Sequence, residues 1–227
     1  MFKRFKELFS SESLLDEAYS TTVTMLEFDH KMYDASRESL RRSDTGELPF
    51  DIRKTDRKIN KYERDVRRKV VTHLTVAGTQ NLVPGLMLVS IVIDVERIGD
   101  YTKNIAGLAT QHKRRLKGGK SEESLVSIEE AIEQNFPKVI DVLKTQDKAR
   151  AREVMQMEGM VSKASDRIVD DMILQKDKTL GVGNSVCLAM YARFLKRINA
   201  HLANIASSIV NPFPRIGFRE KKGNDNR

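Results

Sequence analysis

The chain has 227 residues, 40% of them hydrophobic, and carries 40 Lys and Arg against 32 Asp and Glu, a formal charge of +8. That is enough apolar material for a packed interior, but no apolar run approaches the roughly 18 residues of a membrane helix, since the longest candidate, Leu82 to Ile93, contains Pro84 and Gly85 and stops at Asp94. The single cysteine, Cys187, excludes an internal disulfide and fits a reducing compartment. The basic opening has no apolar stretch of signal-peptide length behind it, so a cytoplasmic location is expected.

In chain order, Phe2, Phe5, Leu8 and Phe9 alternate with Lys3, Arg4 and Lys6. This is a short amphipathic segment suited to peripheral membrane contact, to a partner's groove, or to capping a bundle. A first helix is predicted from about Ser13 to Arg42, with Leu14, Ala18, Met25, Phe28, Met32 and Ala35 on one side. The loop Ser43-Asp-Thr-Gly-Glu-Leu-Pro49 ends it. A second helix, about Asp51 to Val76, turns Ile59, Tyr62, Val66, Val70 and His73 inward, and a third begins after Pro84-Gly85 and runs to about Arg115. Lys117-Gly-Gly-Lys-Ser121 reads as a linker. The plan then repeats, with a helix from about Glu122 to Leu143 that Pro137 is expected to kink. The next helix reaches about Lys176, and the last runs from about Asn184 to Val210, where Asn211-Pro-Phe-Pro214 stops it.

The third and last helices are copies of each other. Val95-Glu-Arg-Ile-Gly-Asp-Tyr-Thr-Lys-Asn-Ile-Ala-Gly-Leu-Ala109 returns one hundred positions later as Leu195-Lys-Arg-Ile-Asn-Ala-His-Leu-Ala-Asn-Ile-Ala-Ser-Ser-Ile209. Leu88, Ile91, Val95, Ile98, Thr102, Ile105 and Ala109 form a seam at spacings of three and four, matched by Leu188, Tyr191, Leu195, Ile198, Leu202, Ile205 and Ile209. The fold class is therefore all-α: two tandem three-helix bundles related by internal duplication, spanning 13–116 and 122–210, with a basic, disordered tail at 211–227.

Glu96, Asp100 and Asn104 lie at i, i+4 and i+8 on the third helix, and Asp56 and Asn60 form a similar pair on the second. Facing each other across antiparallel helices, such stripes offer oxygen ligands to a hard or borderline cation. Spacing alone equally describes a solvated polar face. In the second copy Lys196 and Ala200 replace both acids, and Glu158 and Ser162 are the nearest equivalents of the opposing pair.

Glu96-Arg-Ile-Gly-Asp100 followed by Asn104-Ile-Ala resembles the signature helix of the PhoU family, and the length, duplication and six helices resemble it too. The resemblance implies a non-enzymatic regulator of phosphate uptake and starvation signalling. Its implied partners are a phosphate transporter's ATPase subunit and a phosphate-sensing histidine kinase, and it implies a homodimer. It also implies iron or zinc clusters, or another divalent cation, on carboxylate stripes. Here that points to Glu96, Asp100, Asp56 and Asn60, in the first half only, because Lys196 would repel a cation. The opening is also similar to PhoU-like proteins that accompany phosphate permeases, which gives an alternative: an accessory subunit of a sodium-coupled or permease-type phosphate carrier.

Other features carry structural readings. The positive excess sits in short runs, Arg67-Arg68-Lys69, Lys113-Arg114-Arg115 and Lys221-Lys222, which fit solvated faces or docking patches better than a nucleic-acid groove. Arg97 and Arg197 are expected to reach between helices, and Asn104 and Asn204 to bond across them. Glu27-Phe-Asp-His30 lacks the second copy and further glutamates of a di-iron bundle, so His30 is placed at a surface or edge. His73 and His201 are expected to pack and His112 to be solvated. No serine or cysteine has a base partner, and there is no phosphate-binding glycine loop.

Overall fold

Asp51 and Asp147 open the second helix of each half in the same way. Asp51 accepts from the Lys54 backbone N–H at 3.0 Å, and Asp147 from those of Ala149 and Arg150 at 2.8 and 3.2 Å, satisfying amides that have no partner inside the helix. A computed structural model describes residues 11–220. Its six α-helices are α1 (Ser11–Arg42), α2 (Ile52–Ala77), α3 (Leu82–His112), α4 (Glu122–Thr145), α5 (Lys148–Ile173) and α6 (Val182–Val210). The amphipathic opening through Ser10 lies outside the described residues.

Several boundaries differ from expectation. Helix α3 starts at Leu82, so Pro84 sits in the first turn, where its missing N–H costs no hydrogen bond. It ends at His112 because Lys113 adopts a left-handed φ of 44° and returns its N–H to Ala109. Helix α4 runs unbroken through Pro137 and closes the same way, with Gln146 at φ 59° bonded to Val142. Helix α5 stops at Ile173, three residues short of Lys176. The predicted seams are buried at every position except Ile209, which is half-buried.

The disorder expected beyond Val210 does not describe residues 211–220. Asn211 donates to the carbonyls of Arg215 and Phe218 at 3.1 and 2.6 Å, Gly217 N–H donates to Ser207 Oγ at 2.7 Å, and Glu220 takes two bonds from Arg152 at 2.7 and 2.8 Å. This segment folds back along the groove between α5 and α6.

Each half is a three-helix unit, and the units join through α3 on α6 and α1 on α4, so one continuous apolar core runs through both. The α3/α6 contact is antiparallel: Asp94 meets His201 while Tyr101 meets Phe194. These two pairs exchange under the duplication, since 94 and 194, and 101 and 201, are repeat equivalents. One is aromatic, with ring centres 6.1 Å apart. The other is polar, with His201 Nδ1 2.6 Å from Asp94 Oδ1 and Asn204 donating to the same oxygen at 3.2 Å. Asp94→Ala leaves the buried His201 imidazole and the half-buried Asn204 amide without their shared partner, a loss of about 1–3 kcal/mol. Chemical denaturation should show it as a lower midpoint with unchanged slope.

Two further histidines, His73 and His30, also have structural places. His73 is fully buried and meets the Asn81 amide at 3.0 Å. His30 is partly exposed, as expected of a surface or edge position, and stacks on Phe136 across the α1/α4 contact, with ring centres 4.9 Å apart. Arg97 stays on its own helix, 3.4 Å from Asp100 and 3.6 Å from Glu96, whereas Arg197 does reach across, donating to Tyr101 Oη at 3.1 Å.

Candidate functional site

Helices α2 and α3 are antiparallel neighbours: Val70 lies against Gly85, Ile59 against Gly99, and Asp56 near Lys103. The two polar stripes therefore do face each other. Asp56 is 9% exposed, Glu96, Asp100 and Asn60 are half-buried, and Asn104 is exposed. Asn60 Nδ2 stands 3.5 Å from Asp56 Oδ2.

Between the stripes lies the chain's own cation. Lys103 Nζ donates to Asp100 Oδ1 at 2.8 Å and to Asp56 Oδ1 at 3.0 Å, tying α3 to α2. Burial works against the charge on Lys103, but the bonds to Asp100 and Asp56 outweigh it and raise the ammonium's pKa. Glu96 has its pKa raised by partial burial, then by Asp100, with Arg97 opposing. Among the described residues, no three or more His, Cys, Asp or Glu side chains converge as a ready metal-holding group.

A further carboxylate, absent from the sequence reading, lies beneath this face. Asp29 on α1 is fully buried, and neither carboxylate oxygen has a hydrogen-bond partner. Its pKa is raised well above the usual carboxylate range, first by burial and then by the charges of Asp56, Glu96 and Asp100. Gly99 makes room for it: a Cβ at that position would lie 2.8 Å from Asp29 Oδ1. A signal for Asp29 existed, since Met25, Asp29 and Met32 are spaced four and three and so share the buried side of α1.

The second unit resolves the same geometry differently. At the repeat equivalent of Gly99 stands Asn199, whose side-chain oxygen accepts from Asn135 of α4 at 2.9 Å, both residues being buried. On the outer face Lys196 pairs with Asp166, its ammonium 2.6 Å from one oxygen. Ala200 and Asn204, the counterparts of Asp100 and Asn104, line a groove with Glu158 that Phe218, Arg219 and Glu220 help to enclose. The second copy of the motif thus contacts the chain's own C-terminal segment.

A duplicated pair of three-helix units, with a carboxylate face on the first and an ammonium and tail on the second, defines a helical-bundle protein built from two copies of one module. The PhoU domain model matches both copies, residues 22–109 and 125–209, and the chain belongs to the PhoU family. It is 25% identical over 167 residues to the phosphate-specific transport system accessory protein PhoU homolog of Synechocystis, covering 72% of this chain and 73% of that one. Its fold is similar to the crystal structure of PhoU from Pseudomonas aeruginosa (TM-score 0.77, 20% identity, 88% of this chain and 96% of that one). It is also similar to the phosphate transport system regulatory protein PhoU from Streptococcus pneumoniae (TM-score 0.76, 19% identity, 88% and 95%). No helix among the described residues is long and apolar enough to cross a membrane.

Proposed function

We propose that this protein is a non-enzymatic regulator of phosphate uptake and phosphate-starvation signalling, an adaptor between a phosphate transporter's ATPase subunit and a phosphate-sensing histidine kinase. The observation that carries the reading is the family match over both halves, together with a relative named as a phosphate-transport accessory protein. Long helical faces joined by one core suit a docking role, in which shape and charge select partners without a reaction pocket. We place it in the cytoplasm, as a homodimer.

Metal binding forms part of the proposal. Glu96, Asp100, Asp56 and Asn60 would hold iron, zinc or another divalent cation, in the first unit only. The oxygen donors suit such an ion, and behind them lies Asp29, fully buried with neither oxygen partnered. Bound there, the ion would cross-link α2 and α3.

Affinity capture of the tagged protein from its native cells, grown with ample or scarce phosphate, tests the adaptor role. Enrichment of a phosphate-transport ATPase or sensor kinase that changes with phosphate is the expected result. Capture of a permease alone would replace it with the carrier-subunit reading.

A further inference from the structure

We infer that Lys103 is the resident counter-cation of the first unit's carboxylate face, and that a divalent metal ion reaches Asp56 and Asp100 only by displacing it. The inference rests on the metal-binding proposal above and assigns to Lys103 a role that the carboxylates alone do not reveal.

Three observations support it. First, the ammonium occupies the bridging position itself, within 3.0 Å of one oxygen of Asp56 and one of Asp100. A divalent ion joining these two carboxylates needs the same place. Second, the lysine side chain is 32% exposed, so rotation about its flexible stem can carry the charge into water without disturbing the core. Third, one ammonium underfills the site: Asp56, Glu96 and Asp100 supply three carboxylates to this face and Lys103 bonds only two of them, while Asp29 beneath is fully buried with both oxygens unpartnered. An ion of charge two answers that field better than an ion of charge one. The second unit supplies the contrast. There Lys196 holds Asp166, but Ala200 stands where Asp100 would be, so displacing that lysine frees no paired carboxylates.

The test is titration of metal-stripped full-length protein with manganese(II) and with zinc(II), by calorimetry and, for manganese, electron paramagnetic resonance. Lys103→Met should bind about ten-fold tighter than the parent or better, and Lys103→Gln should agree with it, which guards against a folding defect in either variant. Lys196→Met should bind as the parent does. Arg97→Met is the charge control: it removes a positive charge 3.4 Å from Asp100 without opening the Asp56–Asp100 gap, so its gain should be clearly smaller. Equal binding by the Lys103 variants and the parent, or an equal gain from Arg97→Met, overturns displacement while leaving the metal reading in place. Binding by neither the parent nor the Lys103 variants, or binding that survives Glu96→Ala with Asp100→Ala, overturns both.

Discussion

Replacing Arg41 with methionine is expected to destabilise the protein by about 3 kcal/mol, the cost of leaving a buried charge without its partner, which for a chain of this size lowers Tm by on the order of 10 °C. Arg41, at the end of α1, is 11% exposed, and its Nε donates at 2.9 Å to Glu129 of α4, which is 8% exposed. The same guanidinium also bonds the Leu116 carbonyl in the inter-unit linker and the Glu122 carboxylate. One side chain thus joins the first unit, the linker and the second unit. After the substitution Glu129 keeps only the Tyr191 hydroxyl, which donates to it at 2.7 Å. Burial already raises the Glu129 pKa, and Arg41 is the strongest influence opposing that shift. The carboxylate should therefore take up a proton in the variant, and the loss should be smaller in mild acid than at neutral pH. Adding Glu129→Gln to Arg41→Met should recover a large part of the deficit at neutral pH, since the uncompensated charge is then gone. Thermal melts of the two single variants and the double variant measure the coupling. Simple additivity would mean that the two residues are not energetically paired.

Asp29→Asn should have the opposite sign and stabilise the protein at neutral pH, because the amide keeps the shape of the carboxyl group without the charge that burial and the neighbouring Asp56, Glu96 and Asp100 oppose. The pH dependence is the sharper part of the prediction. The folded state raises the Asp29 pKa through burial and through Asp56, Glu96 and Asp100, so across the window between the unfolded and folded values the folded state holds more protons. Stability associated with this group is then fully present below the unfolded pKa of about 4 and is lost as pH rises toward the folded value. The asparagine variant has no such loss. Its advantage over the parent should be small near pH 4 and grow as pH increases. A constant difference across that range would show that Asp29 does not titrate abnormally. The second unit already carries the substituted chemistry, because Asn135 there occupies the place on Asn199 that Asp29 occupies on Gly99.

Asp29 also shows where legibility in the sequence ended. Its spacing from Met25 and Met32 marks the buried side of α1, yet a carboxylate within an apolar stripe has no meaning until the opposing surface is known. Gly99 lies inside the quoted repeat and differs from Asn199, but only the packing of α1 on α3 turns that difference into room for a charged group. Lys103 is similar. It is three residues from Asp100 and within reach on the same helix turn, whereas its second partner is 47 positions away. Residues 211–220 depart from expectation for the same reason. Their basic and polar composition suggests disorder, but Arg152 and Ser207, which fix them, belong to the long helices.

The sequence by itself determined the class and number of helices, their buried stripes, the duplication and the family signature. All of these depend on residues three, four or one hundred positions apart, and the helical period and the repeat register place them without knowledge of any other contact. The tertiary structure alone decided which charges meet: Lys103 with Asp56, Arg41 with Glu129, His201 with Asp94, and Asp29 with no hydrogen-bond partner. Such pairs depend on the rotation and offset of one helix against another, which the summed packing of the whole core sets and no local pattern encodes.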